Sequence, residues 1–393
     1  MKIFFTAILL SLCATCVYPQ EAFTLNLGGT SQQNYYTEID YENIRWTPII
    51  KVTISGKTYR FALDTGAPVT ITKTLFDDLK PKIINKVPIW DTNGKVDSLN
   101  IVSLSDIAIG DVVFNDIPAV VPKDQFFFDC MKVDGFIGSN MLRNSVVHFS
   151  SRDHKIVLTD QPDKLNLNRE HSSDLFLTQV QSNPVVSIKV AGKGSGTIPA
   201  LFDTGSAGFF DLALTHFGYA EQAEIFDVLA KSRGRRNIGL YGAGSDTTQY
   251  RLRVPELSIN GGLFKNVNVS TTTGDDSTIG ARFLDFGMVT IDYNNKKFYF
   301  EPFEPIVDSH ERLFPINCIP RDNKIFIEMI WDEQLKEKMS VNDQVLAIND
   351  VDYTNISMCD YLLKTDLYDG KNQVVLTLKT PEGIIKKVAI SKK

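Results

Sequence analysis

Apolar and polar positions alternate with a period of two along most of the chain before Pro305. Pro48-Ile49-Ile50-Lys51-Val52-Thr53-Ile54 has the pattern of a strand with one buried face, and Pro184-Val185-Val186-Ser187-Ile188-Lys189-Val190 repeats it. The segments between are short runs of Val, Ile, Thr, Phe and Tyr broken by Gly, Asn and Asp, which predicts antiparallel hairpins rather than helices. Asn294-Asn295, between Tyr293 and Lys296-Lys297-Phe298, marks one such turn. Helical pieces are expected only locally, at residues 74–80, 211–216 and 220–230.

The chain also repeats itself at an offset of about 140 residues. Phe61-Ala62-Leu63 leads into Asp64-Thr65-Gly66, as Ala200-Leu201-Phe202 leads into Asp203-Thr204-Gly205. Ile107-Ala108-Ile109-Gly110 then matches Leu257-Ser258-Ile259-Asn260. Phe136-Ile137-Gly138 and Thr278-Ile279-Gly280 follow the triplet aspartates at 74 and 77 residues, each before a closing hairpin. Residues 161–173, polar and without apolar period, read as the connection between copies. Beyond Pro305 the pattern changes to short strands at 324–330, 344–348 and 373–378, with helical stretches at 333–338 and 357–365. The expected organisation is a leader at 1–22, a first lobe at 23–160, the connection at 161–173, a second lobe at 174–305, and a small α+β domain at 306–393. No station of the repeat lies beyond Phe300, so this last domain is expected to be separable from the chemistry.

Length and composition agree with a folded, multi-domain, water-soluble chain: 393 residues, 43% apolar and 22% charged. A net charge of −6 gives no field for phosphate backbones, which argues against nucleic acid as a partner. Lys2, the mainly apolar run from Ile3 to Leu12 and the small residues around Ala14 form a segment too short to span a bilayer and laid out like a secretory leader. Export to a periplasm or the extracellular space is expected, with no stable membrane span. A lipid on Cys13 or Cys16 is the minority alternative. Past the leader, Cys130, Cys318 and Cys359 are odd in number and without CxxC spacing, so no disulfide framework is indicated. The five histidines are scattered outside any HExxH pattern, so no metal and no cofactor are expected.

Two carboxylates that share one proton can hydrolyse an amide, because one takes a proton from water while the other donates to the carbonyl oxygen. The repeat supplies one aspartate per copy, Asp64 and Asp203. Thr65 and Thr204 can bond across the junction, while Gly66 and Gly205 permit a tight turn and direct N–H groups at the carboxylates. The Ser206 hydroxyl can donate to Asp203, whereas Ala67 offers Asp64 nothing comparable, which makes Asp203 the expected base.

Leu63-Asp64-Thr65-Gly66-Ala67 resembles the active-site motif of retroviral-type aspartic peptidases, and Phe202-Asp203-Thr204-Gly205-Ser206 resembles that of pepsin-like ones. The resemblance covers residues 40–303 and is similar to the tandem retropepsin-like arrangement of exported bacterial proteins. It implies a mainly β chain with two retropepsin-like closed lobes forming a pseudo-dimer, a cleft for a peptide or protein substrate, and flap hairpins above it. Gly239-Leu240-Tyr241-Gly242-Ala243-Gly244-Ser245 is the favoured flap, with Tyr241 and Gly242 as its key residues, and Asp91-Thr92-Asn93-Gly94 is a hairpin turn in the first copy. His148, where Asp292 stands in the other copy, is expected to be a surface variation. Val341-Asn342-Asp343-Gln344-Val345-Leu346-Ala347-Ile348-Asn349-Asp350 resembles part of a PDZ domain, although Leu313-Phe314-Pro315-Ile316 lacks the glycine of a carboxylate-binding loop. The reading is an aspartic endopeptidase that pairs its lobes within one chain. The rivals are an exported peptide-binding module without turnover and a PDZ-type adaptor.

Overall fold

In a computed structural model the protein is described over residues 23–393, apart from residues 92–93, 237, 240–241 and 365. The expected leader at residues 1–22 lies outside the described residues. The chain is mainly β, and two sheets use the repeat in the same way. Thr47–Ile54 turns through Ser55 and Gly56, both at positive φ, and pairs with Lys57–Asp64. Pro184–Ala191 pairs likewise with Ser195–Asp203. From Lys57–Asp64 the neighbours run Gly135–Gly138, Thr70–Ile71, Ile117–Val121, Val96–Leu104 and Lys82–Trp90. From Ser195–Asp203 they run Ser277–Gly280, Phe210–Ala213, Gly262–Thr272, Thr247–Ile259 and Asp227–Gly234. Each sheet curls back on itself, through Ile107–Ile109 on Thr47–Ile54 and through the end of Thr247–Ile259 on Pro184–Ala191.

The helical expectations hold in part. Lys73–Leu79 is a helix whose Thr72 cap accepts from the Leu75 N–H. Residues 211–216 instead divide between the strand Phe210–Ala213 and the start of the helix Leu214–Gln222. The helix expected over 220–230 ends at Gln222, and Asp227–Gly234 is a strand. Its ladder to Thr247–Ile259 overrides the local helix preference of Leu229, Ala230 and Lys231.

A further sheet of six strands joins the two halves. Tyr36–Asp40, Lys155–Thr159 and Val146–Ser150 come from the first half, and Gly287–Asp292, Lys297–Pro302 and Ser172–Asp174 from the second. The central ladder pairs Val146 with Asp292 and Phe149 with Val289. His148 sits opposite Thr290 in that ladder, with Nδ1 2.8 Å from the threonine hydroxyl, and burial lowers its pKa. It is therefore a half-buried part of the junction and not a surface variation. Beneath the sheet one apolar core runs through both halves, where Phe202 meets Phe149, Phe283 and Phe298.

Residues 306–308 still belong to the second sheet, where they pair with Gly262–Thr272. A separate core begins at Phe314 and includes Ile325, Ile327, Val345, Leu376 and Ile390. This C-terminal unit is fastened to both halves. Cys130, in the helix Phe126–Met131 of the first half, forms a disulfide with Cys359 in the helix Met358–Leu363. The expectation of no disulfide is thus corrected. The two cysteines lie 229 residues apart in sequence, a separation at which spacing carries no information. Arg45 also donates to the Leu362 carbonyl. On the other half, Arg251 donates to Phe314 O at 2.5 Å and Asn317 Oδ1 at 3.1 Å, and lies over the Trp331 ring. A Cβ on Gly234 would fall 2.3 Å from the Glu328 carbonyl, so the Asp227–Gly234 strand touches the unit directly. A domain held in this way is not a loose appendage. Because the disulfide closes so long a loop, Cys359→Ser should lower unfolding stability by about 2–4 kcal/mol in urea titration. An unchanged midpoint would show that the joint bears no load.

Candidate active site

The strands Lys57–Asp64 and Ser195–Asp203 both end in an aspartate, and each lies parallel to an apolar-glycine strand. Gly138 is in register with Asp64, and Gly280 with Asp203. The glycines are needed for contact: a Cβ on Gly138 would lie 2.2 Å from the Ala67 carbonyl, and one on Gly280 2.3 Å from that of Gly208. They back the loops that carry the triplets, as the sequence pattern predicts.

The two loops are tied to one another by their threonines, both fully buried. Thr65 Oγ1 donates to the Phe202 carbonyl and Thr204 Oγ1 to the Leu63 carbonyl, each at 2.6 Å. In return, the Thr65 N–H donates to Thr204 Oγ1 and the Thr204 N–H to Thr65 Oγ1, both at 3.1 Å. Each hydroxyl is donor and acceptor at once, a role that alanine or valine cannot take. Ser139 Oγ adds a donor to the Thr65 carbonyl at 2.8 Å and lies 2.9 Å from the Tyr293 hydroxyl. Ala281 follows Gly280 as Ser139 follows Gly138, so only the first loop has this support. Ser139 and Tyr293 escaped the sequence reading as site residues because neither has a counterpart of the same type in the other copy.

The grip brings the Asp64 and Asp203 carboxyls close enough for each to act on the other's ionisation. Asp64 Oδ1 accepts the N–H groups of Gly66 and Ala67 at 3.0 Å, and Asp203 Oδ1 accepts those of Gly205 at 2.8 Å and Ser206 at 3.2 Å. Gly66 and Gly205 serve less for turning than for proximity, since neither has a positive φ. A Cβ on Gly66 would lie 2.4 Å from Asp203 Cγ, and one on Gly205 2.3 Å from Asp64 Oδ2. Each glycine leaves room for the opposite carboxylate. Burial, then the charge of Asp203 and the hydrogen bond to it, raise Asp64 well above the ordinary carboxyl range. Burial also raises Asp203, against the pull of its hydrogen bond with Asp64 and of backbone N–H groups. Both carboxyls are thereby held above the ordinary range, and they titrate as a pair. Ser206 reaches Asp203 through its backbone N–H.

Tyr241 lies outside the described residues. The strands flanking it, Ile238–Gly239 and Gly242–Ala243, pair as a hairpin. A Cβ on Gly242 would lie 3.8 Å from Lys95 Nζ, at the turn between Lys82–Trp90 and Val96–Leu104. The hairpins of the two halves therefore approach one another. Arg236, next to the second hairpin, is bound to Asp211 through Nη1 at 2.9 Å. Among the described residues no cluster of His, Cys, Asp and Glu is arranged to hold a metal, and no helix is long and apolar enough to cross a membrane.

Comparison with known proteins finds no curated protein that matches the chain. Among solved structures the chain is similar to basic 7S globulin from soybean, at 11% identity over 69% of this chain and 97% of that one, with a TM-score of 0.39. Residues 50–141, which contain Asp64 and its supporting strands, match a family model described as aspartyl protease, so the chain carries an aspartyl-protease-like domain.

Proposed function

We propose that the chain is an exported aspartic endopeptidase made of two retropepsin-like lobes in one polypeptide, with Asp64 and Asp203 as its catalytic residues. The observation that carries this reading is the pair of facing aspartates, each packed on the glycine of the other's loop and held by reciprocal threonine bonds. Asp203 would take a proton from a water held between the carboxylates as that water attacks the peptide carbonyl, while Asp64 gives its proton to the carbonyl oxygen. Collapse of the tetrahedral species returns a proton to the leaving amine and breaks the C–N bond. The paired hairpins would cover the substrate, and the PDZ-like unit would brace the lobes. The leader-like N-terminus and the Cys130–Cys359 disulfide both favour an oxidising compartment.

Asp64→Asn and Asp203→Asn should each lower kcat/KM on peptides by about a thousandfold. Mixing the two variants should restore nothing, because the six-stranded sheet joins halves of the same chain. Full-strength binding of a statine-type mimic by folded wild-type protein that never cleaves a peptide would favour the binding module instead.

The raised carboxyl pKa values also predict a trend in stability. A carboxyl raised on folding is protonated in the native state where the unfolded chain, near 3.8, has released its proton. Its stabilising contribution is complete below that unfolded value and is lost as pH rises through the native one. Asp64→Asn should therefore gain Tm over wild type as pH rises from about 4 to about 7. Parallel curves for the two proteins would contradict the shared proton.

A further inference from the structure

The turn entering Pro184–Ala191 brings two side-chain amides to the dyad. Asn183 Nδ2 donates to the Gly66 carbonyl at 2.8 Å, and Gln181 Nε2 donates to the same oxygen at 3.2 Å. That carbonyl belongs to the peptide unit whose N–H, on Ala67, donates to Asp64 Oδ1 at 3.0 Å. Asn183 is only 7% exposed, and its orientation is fixed, because a carbonyl can only accept. Its Oδ1 is left buried without a partner, a cost borne to keep the nitrogen on Gly66.

The turn is itself braced. Leu25, fully buried among Val87, Leu99, Ile101 and Val120, donates its N–H to the Val180 carbonyl at 2.7 Å. Asn26 Nδ2 donates to the Gln179 carbonyl and Ser182 Oγ to Asn26 Oδ1, both at 2.9 Å. The first half has no equivalent: Thr47 precedes Pro48 as Asn183 precedes Pro184, and among the described residues no side chain donates to the Gly205 carbonyl.

We propose that Asn183, assisted by Gln181, is a positioning residue of the dyad that holds and polarises the Gly66–Ala67 peptide, strengthening the Ala67 N–H as a donor to ionised Asp64. Hydrogen bonds in series reinforce one another by about 10–30% in a poorly screened interior. Burial and Asp203 resist ionisation of Asp64, with Asp203 the titratable group that acts on it most strongly, and the amide pair opposes them. The amide pair thus acts on one aspartate of the two, from outside its own loop. The catalytic part of this inference rests on the peptidase reading, whereas the hydrogen-bond part does not.

The test combines the pH profile of kcat/KM with the amide proton shift of Ala67 in folded Asn183→Ala and Gln181→Ala proteins. With the donor weakened, ionised Asp64 is less favoured, so the alkaline limb, where Asp64 gives up the shared proton, should rise by about half a pH unit. For Asn183→Ala, kcat should fall at least about threefold with KM little changed, and the Ala67 amide proton should move upfield. Gln181→Ala should give the same changes at smaller size, and it serves alone if Asn183→Ala does not fold, since Gln181 is only half-buried. An unmoved alkaline limb together with an unmoved Ala67 resonance would overturn the inference. If wild-type protein cleaves nothing, the peptidase reading fails by itself and the Ala67 shift still decides the positioning role.

Discussion

Everything at the proposed site depends on the reciprocal bonds of Thr65 and Thr204. Two carboxylates in contact are costly in a buried place, and they stay together only where the backbone leaves them no other position. Four hydrogen bonds between the loops, each hydroxyl giving one and taking one, impose that position. The glycines follow from it, since each is overlain by the opposite aspartate. The shared proton follows too, because two negative charges cannot persist at that spacing without solvent.

The six-stranded sheet supplies the second constraint. It fixes the halves by a ladder from Val146↔Asp292 to Phe149↔Val289, so both ends of the grip belong to one chain. The C-terminal unit adds a third, spanning both halves through Cys130–Cys359 on one side and Arg251 on the other. Arg251 lies on the strand beside Asp227–Gly234, and Gly234 touches the unit as well. Motion of that hairpin arm is therefore coupled to the unit, a connection that a freely hinged domain would not have.

The sequence made the repeat legible because strands, triplets and apolar-glycine pairs are local and recur. Asp64, Asp203 and their flanking residues were found for that reason, and the structure brings them together. What the sequence hid is long-range or unrepeated. The helix expected over 220–230 followed from propensity and lost to a ladder with residues on the far side of a hairpin. The disulfide joins positions whose neighbourhood only folding creates. Asn183 and Gln181 act through a backbone carbonyl, which carries no residue signature, and the Ser206 hydroxyl had a plausible chemical role that its backbone N–H takes instead. A side-chain amide just ahead of one repeated strand and not the other, Asn183 against Thr47, was the one clue available.

The central claim is that a water held between Asp64 and Asp203 attacks the peptide bond directly. The most direct measurement is mass spectrometry of peptides cleaved by the purified protein in heavy-oxygen water under single-turnover conditions. The account predicts that each new C-terminal carboxylate carries solvent oxygen from the first turnover, with no acyl intermediate on the protein. A covalent adduct, or folded wild-type protein that yields no labelled product between about pH 3 and about pH 8, would contradict it.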